Sequence, residues 1–149
     1  MTDIQYVLDR IAIQDVQIEY ARALDAKEFD RLDDVFLPDG VADYDGIGIC
    51  NGVDSIRGVC SGALTPLDQS QHLLGNHWAE IDGDTATAGC YFQAQHHVEG
   101  AEGGPNFIVA GIYTDQLVRT DAGWRIKHRT LTGWWTEGND AVLVPPAPE

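Results

Sequence analysis

Basic side chains are scarce in this chain. Nine Lys and Arg stand against 24 Asp and Glu, a formal net charge of −15 over 149 residues. Nucleic acids and anionic membranes both call for a basic footprint, so neither is expected as a partner. Cysteine is sparse too. Cys50, Cys60 and Cys90 are odd in number and lack a C-x-x-C spacing, which reads as free thiols in a reducing cytoplasm. There is no zinc signature and no Gly-rich phosphate loop. No apolar run approaches the roughly 20 residues that span a bilayer. The start, Met-Thr-Asp-Ile-Gln, lacks the basic and apolar regions of a signal peptide, so a cytoplasmic location is expected. No internal repeat is visible, and the length suits one domain, residues 1–149.

What is present falls into two textures. Residues 3–37 read as helical, with Ile4, Val7, Leu8, Ile11 and Ile18 at helical spacing and Thr2 or Asp3 as a cap. Ile13, Val16 and Leu24 fall on another side, so the helix is expected to be covered on more than one face. A break near Ala26–Glu28 separates a second short helix, Phe29 to Phe36, and Pro38-Asp-Gly40 supplies a turn. Short strands follow. Val41–Asp45 leads into a Gly-rich stretch, and residues 52–64 form a short helix. Longer strands are expected over 71–81, 85–97, 107–119 and 124–135, with turns at Asp82-Gly-Asp84 and Thr120–Gly123. Residues 98–106 are a Gly-rich loop. The tail, 138–149, ends in prolines and should be extended or disordered. Helices followed by a meander of four to six strands mean α+β, with the sheet curled around the amino-terminal helix and a pocket inside.

Asp25 and His72 carry the most chemistry. Asp25 ends the first helical segment, and His72 sits alone in an apolar strand-like run. A carboxylate and an imidazole that both face a core are either a hydrogen-bonded pair used for proton transfer or a structural bridge. The competing account makes His72 a core histidine bonded to backbone and Asp25 a helix-end cap. Tyr20 and Tyr44 are candidate donors to a substrate oxygen, or simply an aromatic wall. On a straight helix Tyr20 lies ~140° from Asp25, so both reach one pocket only if the helix bends near Leu24. His96 and His97 adjoin on a strand, so one of them faces inward. His128 and Arg129 alternate in the same way. His77, five positions from His72, belongs on the opposite face. Trp78, Trp124, Trp134, Trp135, Phe92, Phe107 and Tyr113 favour an apolar, ring-shaped ligand over a sugar or nucleotide.

The order of these features resembles a known group. Tyr20…Asp25-Ala-Lys-Glu-Phe-Asp-Arg-Leu32, Asp43-Tyr44, Gln71-His72-x-x-Gly-Asn76, Ile81-Asp-Gly-Asp-Thr-Ala-Thr-Ala88 and Gly123-Trp-Arg-Ile126 are similar to the SnoaL-like branch of the nuclear-transport-factor-2-like superfamily. The resemblance implies a cystatin-like α+β barrel, a cone-shaped curved antiparallel sheet wrapped around amino-terminal helices. Its enzymatic members include scytalone dehydratases, bile-acid 7α-dehydratases and hexachlorocyclohexane dehydrochlorinases. It therefore implies a cofactor-independent lyase with no metal, acting on a hydrophobic cyclic substrate, with isomerisation or plain ligand binding as the alternatives. Asp25 and His72 match the dyad common to those enzymes. Tyr44 matches a dehydratase tyrosine that contacts a bridging water, and Tyr20 a bile-acid dehydratase tyrosine. The position of Tyr20 is lysine in the dehydrochlorinases, which speaks against that reaction. Leu24 stands where scytalone dehydratases carry another tyrosine, which speaks against scytalone. His97, or His96 one residue away, falls near a second histidine, and Arg129 matches an active-site arginine. The resemblance makes His97 and Arg129 candidate ligand contacts, and the aromatic content adds Trp78 and Phe92. The strand 107–119 is apolar on both faces, so its outer face calls for a partner subunit, and the resemblance to the dehydratases implies a homotrimer, with a dimer as the alternative.

Overall fold

The computed structural model describes residues 3–143. Helix α1 (Ile4–Asp25) opens with the Asp3 carboxylate accepting the Gln5 N–H, as a helix cap does. Thr2, the other cap candidate, and the proline tail 144–149 lie outside the described residues. The expected second short helix follows as a 3₁₀ helix at Phe29–Asp34, ending before Phe36, which already belongs to the next strand. The chain then enters β1 (Phe36–Tyr44), β2 (Gly48–Asn51), α2 (Val53–Leu64), β3 (Gln69–Asp82), β4 (Thr85–His97), β5 (Asn106–Thr120) and β6 (Gly123–Gly138).

The six strands form one sheet in the order β2-β1-β6-β5-β4-β3. All neighbours are antiparallel except β1 and β6, which run parallel. That parallel pair corrects the expected all-antiparallel sheet. It also explains why Pro38-Asp-Gly40 is not a turn. Phe36 already pairs with Ile126, and an irregularity between Phe36 and Val41 takes up the proline.

The helix presents a second correction. Its Ile4, Leu8 and Ile11 stripe is 70%, 52% and 53% exposed, while Ile13, Val16, Tyr20 and Leu24 are buried. Among the described residues α1 is therefore covered on one face only, and the more conspicuous apolar stripe is the outer one.

Three bulges set which strand residues face inward. On β3, Gly75 pairs with Tyr91 and Trp78 with Gly89, so Asn76 and His77 together stand opposite Cys90. Asn76 takes a left-handed φ of 51° there. On β6, Lys127 and Trp134 are each skipped in the pairing with β5. Each extra residue exchanges the two faces of the strand and adds local twist. At the second of these, a Cβ on Gly111 would stand 2.0 Å from the Thr132 carbonyl oxygen, so only glycine allows the approach.

Charged groups fasten α1 to the sheet. Buried Asp9 accepts from Arg119 Nη1 and Nη2 at 2.7 and 2.8 Å and from Trp124 Nε1 at 3.1 Å. The Arg119 hydrogen bond, above all, holds its carboxyl well below the usual range against the effect of burial. Without Asp9, Arg119 keeps the Asp84 carboxylate at 2.9 Å and its contact with solvent, so the loss is that of the hydrogen bonds to Asp9. Asp9→Ala should cost about 2 kcal/mol, a fall in Tm of roughly 6 °C by calorimetry. A carboxyl with a depressed folded value contributes stability above its unfolded value and loses it as pH falls below that. The acid loss of stability below about pH 4 should therefore be shallower in the variant.

Candidate active site

Asp25 occupies the last turn of α1, beside the start of β3. Its Oδ1 accepts the His72 Nδ1–H at 2.6 Å and the Ser70 hydroxyl at 3.0 Å, and its Oδ2 accepts the His72 backbone N–H at 2.9 Å. Burial raises its carboxyl pKa. The hydrogen bonds and charge of His72, with the Ser70 bond, outweigh that and leave it below the ordinary value. An ionised carboxylate can only accept, so the proton of a neutral His72 sits on Nδ1. Nε2 is then a lone pair, on a ring that lines an internal cavity.

That cavity has a volume of about 530 Å³, within the usual range for small-molecule sites. Leu24, Val59, Phe92, Val109 and Leu131 make much of its wall. Asp25 is not part of the lining and stands behind His72. This resolves the angular conflict on the helix. α1 runs unbroken to Asp25, with Tyr20 turned into the cavity and Asp25 turned toward β3.

The polar atoms inside are few. Tyr20 Oη and Tyr44 Oη are 2.9 Å apart, and Cys60 Sγ lies 3.5 Å from Tyr44 Oη. Burial pushes both phenols well above their ordinary value, so both remain donors. His96 supplies the fourth group. Its Nδ1–H donates to the Phe107 carbonyl at 3.0 Å, and its ring centroid is 6.1 Å from that of His72. Burial pushes its pKa down to about 4 despite that bond, so it is neutral and its Nε2 is a second acceptor.

Four expected ligand contacts sort as follows. Phe92 lines the cavity and stacks on Tyr113 at 4.4 Å. His97 does not line it. β4 turns His96 inward and His97 outward, where it bonds Asn106 and Glu99. Trp78 lies over Gly89 on the outer side, and a Cβ there would meet its indole at 2.5 Å. Arg129 does point inward, because the bulge at Lys127 reverses its phase, but it is not on the cavity lining. It is wholly buried, paired with Asp115 at 2.7 and 2.8 Å, with its guanidinium 4.3 and 4.2 Å from the Tyr20 and Tyr113 rings. The bulge at Asn76 likewise brings His77 to the helix side. There its Nδ1–H donates to Gln17 Oε1 at 2.8 Å, and Gln17 Nε2 donates to Asp115.

Sequence reasoning passed over Asp115, Ser70 and Cys60. Asp115 had a signal, an acid amid the apolar residues of β5. Asp45, Ile47, Leu143 and the β6 segment 133–136 complete the lining. Loop 98–106 and the segment after β6 are joined, since Asn139 Nδ2 donates to the carbonyls of Glu102 and Gly104 at 2.9 and 2.8 Å. The two segments are thus tied together, with Leu143 on the cavity lining.

The family model described as a SnoaL-like domain matches residues 5–130. The chain belongs to this family. An uncharacterised protein of Mycobacterium tuberculosis is 34% identical over 136 residues, covering 89% of this chain and 90% of that one. The scytalone dehydratase of Aspergillus fumigatus is 31% identical over 98 residues, 60% of this chain and 58% of its own. The γ-hexachlorocyclohexane dehydrochlorinase of Sphingobium indicum is 25% identical over 150 residues, 98% and 94% of the two chains. Among solved structures, a Kribbella flavida protein superposes with a TM-score of 0.85 at 25% identity, over 95% and 99% of the chains. No helix among the described residues is long and apolar enough to cross a membrane.

The buried neutral imidazole has a consequence for stability. The unfolded chain takes up a proton at His96 below about pH 6.5, and the folded state refuses it until about pH 4. Stability is therefore full above pH 6.5 and declines as pH falls toward 4, by up to about 3 kcal/mol. Burial shifts His77 in the same direction. Replacing His96 with Gln should flatten most of this decline in denaturant titrations run between pH 7 and 4.

Proposed function

We propose that the protein is a cofactor-independent lyase that dehydrates a hydrophobic cyclic hydroxy-ketone, polyketide or steroid-like compound. The observation that carries this reading is the His72 Nδ1–Asp25 Oδ1 bond of 2.6 Å behind a ring that opens onto an apolar cavity. The relatedness to a dehydratase and a dehydrochlorinase, both eliminating enzymes, supports it.

The chemistry follows from the arrangement. His72 Nε2 takes the proton from the carbon next to the substrate carbonyl, and Asp25 holds the imidazolium that forms. Tyr44, donating with Tyr20 behind it, stabilises the enolate oxygen. When the enolate collapses, the C–O bond to the hydroxyl breaks, and the leaving oxygen takes the proton back from His72 to depart as water. No net proton is gained or lost. His96, an acceptor, would take a hydrogen bond from a second substrate hydroxyl. A second reading, isomerisation, draws on the same fact. His96 has no proton to give a leaving group, and one base that removes and returns a proton is all a double-bond shift requires.

A panel of cyclic β-hydroxy-ketones, followed by mass spectrometry, separates the two. A lyase gives a product lighter by one water, and an isomerase gives one of unchanged mass. His72→Ala should lower turnover by roughly 10²–10⁴-fold with the fold intact. Asp25→Asn should cost a large part of the rate by favouring the other tautomer. Near-normal turnover in His72→Ala would sink the dyad mechanism.

The outer sheet face supports assembly. Leu73 and Tyr91 are 62% and 43% exposed there, and the Tyr91 ring meets Trp134 edge-on at 5.0 Å. Such a face calls for a partner sheet, and a homotrimer is the assembly proposed. Light scattering at micromolar concentration should give three times the 16.3 kDa chain mass. A value near one chain would defeat this.

A further inference from the structure

Two non-glycine residues among those described have a positive φ, Lys27 at 56° and Asn76 at 51°. Side chains with a Cβ avoid this region, so each position is held there against a local cost. Lys27 lies two residues after Asp25 and Asn76 four residues after His72. We propose that both are positioning residues for the Asp25–His72 pair, an inference that rests on the dyad reading above.

Lys27 closes helix α1. Its N–H donates to the Leu24 carbonyl at 3.0 Å and the Glu28 N–H to that of Ala23 at 2.9 Å, the pairing that a left-handed residue makes possible at a helix end. Glycine is the usual occupant, and it would relieve the backbone. A lysine there supplies an ammonium instead. Lys27 Nζ donates to the carbonyls of Thr65 (3.2 Å) and Leu67. Thr65 caps the carboxyl end of α2, where a cation is favoured, and Leu67 lies two residues before β3 begins. One side chain therefore ties the chain just beyond Asp25 to the chain just before the strand of His72. Without that tie, the end of α1 and the start of β3 are joined through the dyad and Ser70 themselves.

Asn76 acts from the other side. On a regular strand His72 and His77 would face opposite ways. The left-handed residue between them inserts the extra position, so that both rings reach α1, His72 at Asp25 and His77 at Gln17. β3 is thereby fixed to the helix at two points, which sets its rotation as well as its distance.

The test needs no ligand, so it is independent of whether the lyase reading holds. The His72 Nδ1 proton, hydrogen-bonded to a carboxylate at this distance, should give a far-downfield proton resonance that Asp25→Asn abolishes. In Lys27→Met the stem remains and the ammonium is gone. That resonance should move upfield, and its exchange with water should quicken about tenfold, the scale of one lost charge-assisted hydrogen bond. Lys27→Arg should restore both in part. Lys27→Gly, with a relaxed backbone, should behave like Lys27→Met, which keeps the test readable if the methionine variant does not fold. Asn76→Gly, which preserves the left-handed backbone, should leave the resonance in place, and Asn76→Ala should shift it. An unchanged resonance and exchange rate in both Lys27→Met and Lys27→Gly, with only Tm altered, would make Lys27 a helix clamp and overturn the proposal. An unchanged resonance in Asn76→Ala would do the same for Asn76.

Discussion

A carboxylate taken out of water against a sheet has to be matched, and that requirement decides how α1 sits. It is met along the length of the helix. Asp9 is paired with Arg119 and Trp124 near the start, and Gln17 reaches the Asp115–Arg129 pair in the middle. Asp25 is held by His72 and Ser70 at the end. Apolar packing alone tolerates small rotations of a helix. Directional bonds at buried charges do not, because each misplaced partner exposes an unmatched charge. The register that these bonds impose places Tyr20 in the cavity and Asp25 just outside it.

The same constraint separates the groups that could work on a substrate from those that support them. Asp25 and Arg129 are both charged and inward of the surface, yet neither lines the cavity. What does line the deep part of it is polar: two imidazoles whose Nδ1 atoms are committed to Asp25 and to the Phe107 carbonyl, and the phenols of Tyr20, Tyr44 and Tyr113, held protonated by burial, with the Asp45 carboxylate as the charged group on the lining. A neutral lone pair and neutral donors in an apolar enclosure suit the movement of one proton on an uncharged ring compound. The apolar wall of Leu24, Val59, Phe92, Val109 and Leu131 fits the same kind of ligand.

Much of this was legible in the sequence. The turns at Asp82-Gly-Asp84 and Thr120–Gly123 delimited the long strands to within a few residues, and the unusual company of Asp25 and His72 marked the pair. The errors have a common physical origin. Inward and outward positions were assigned by counting along ideal strands, and bulges at Asn76–His77, Lys127 and Trp134 break that count. They moved His77 to the helix side and Trp78 to the outer face, and they decided the alternation of His128 and Arg129 in favour of Arg129. The choice between His96 and His97 failed for a simpler reason, since two adjacent histidines carry no local sign of which is inside. The parallel pairing of β1 with β6, which turned an expected turn into strand, joins segments some ninety residues apart. On α1, the Ile4-Leu8-Ile11 stripe was the cleaner pattern and proved to be the exposed one.

The central claim is that His72 presents a basic Nε2 to the cavity because Asp25 holds the proton on Nδ1. Nitrogen-15 NMR of the histidine rings at neutral pH tests it without any substrate. The account predicts that His72 has a protonated, pyrrole-type Nδ1 and an unprotonated, pyridine-type Nε2, and that Asp25→Asn upsets this assignment. A His72 found with its proton on Nε2 in the unmodified protein would contradict it.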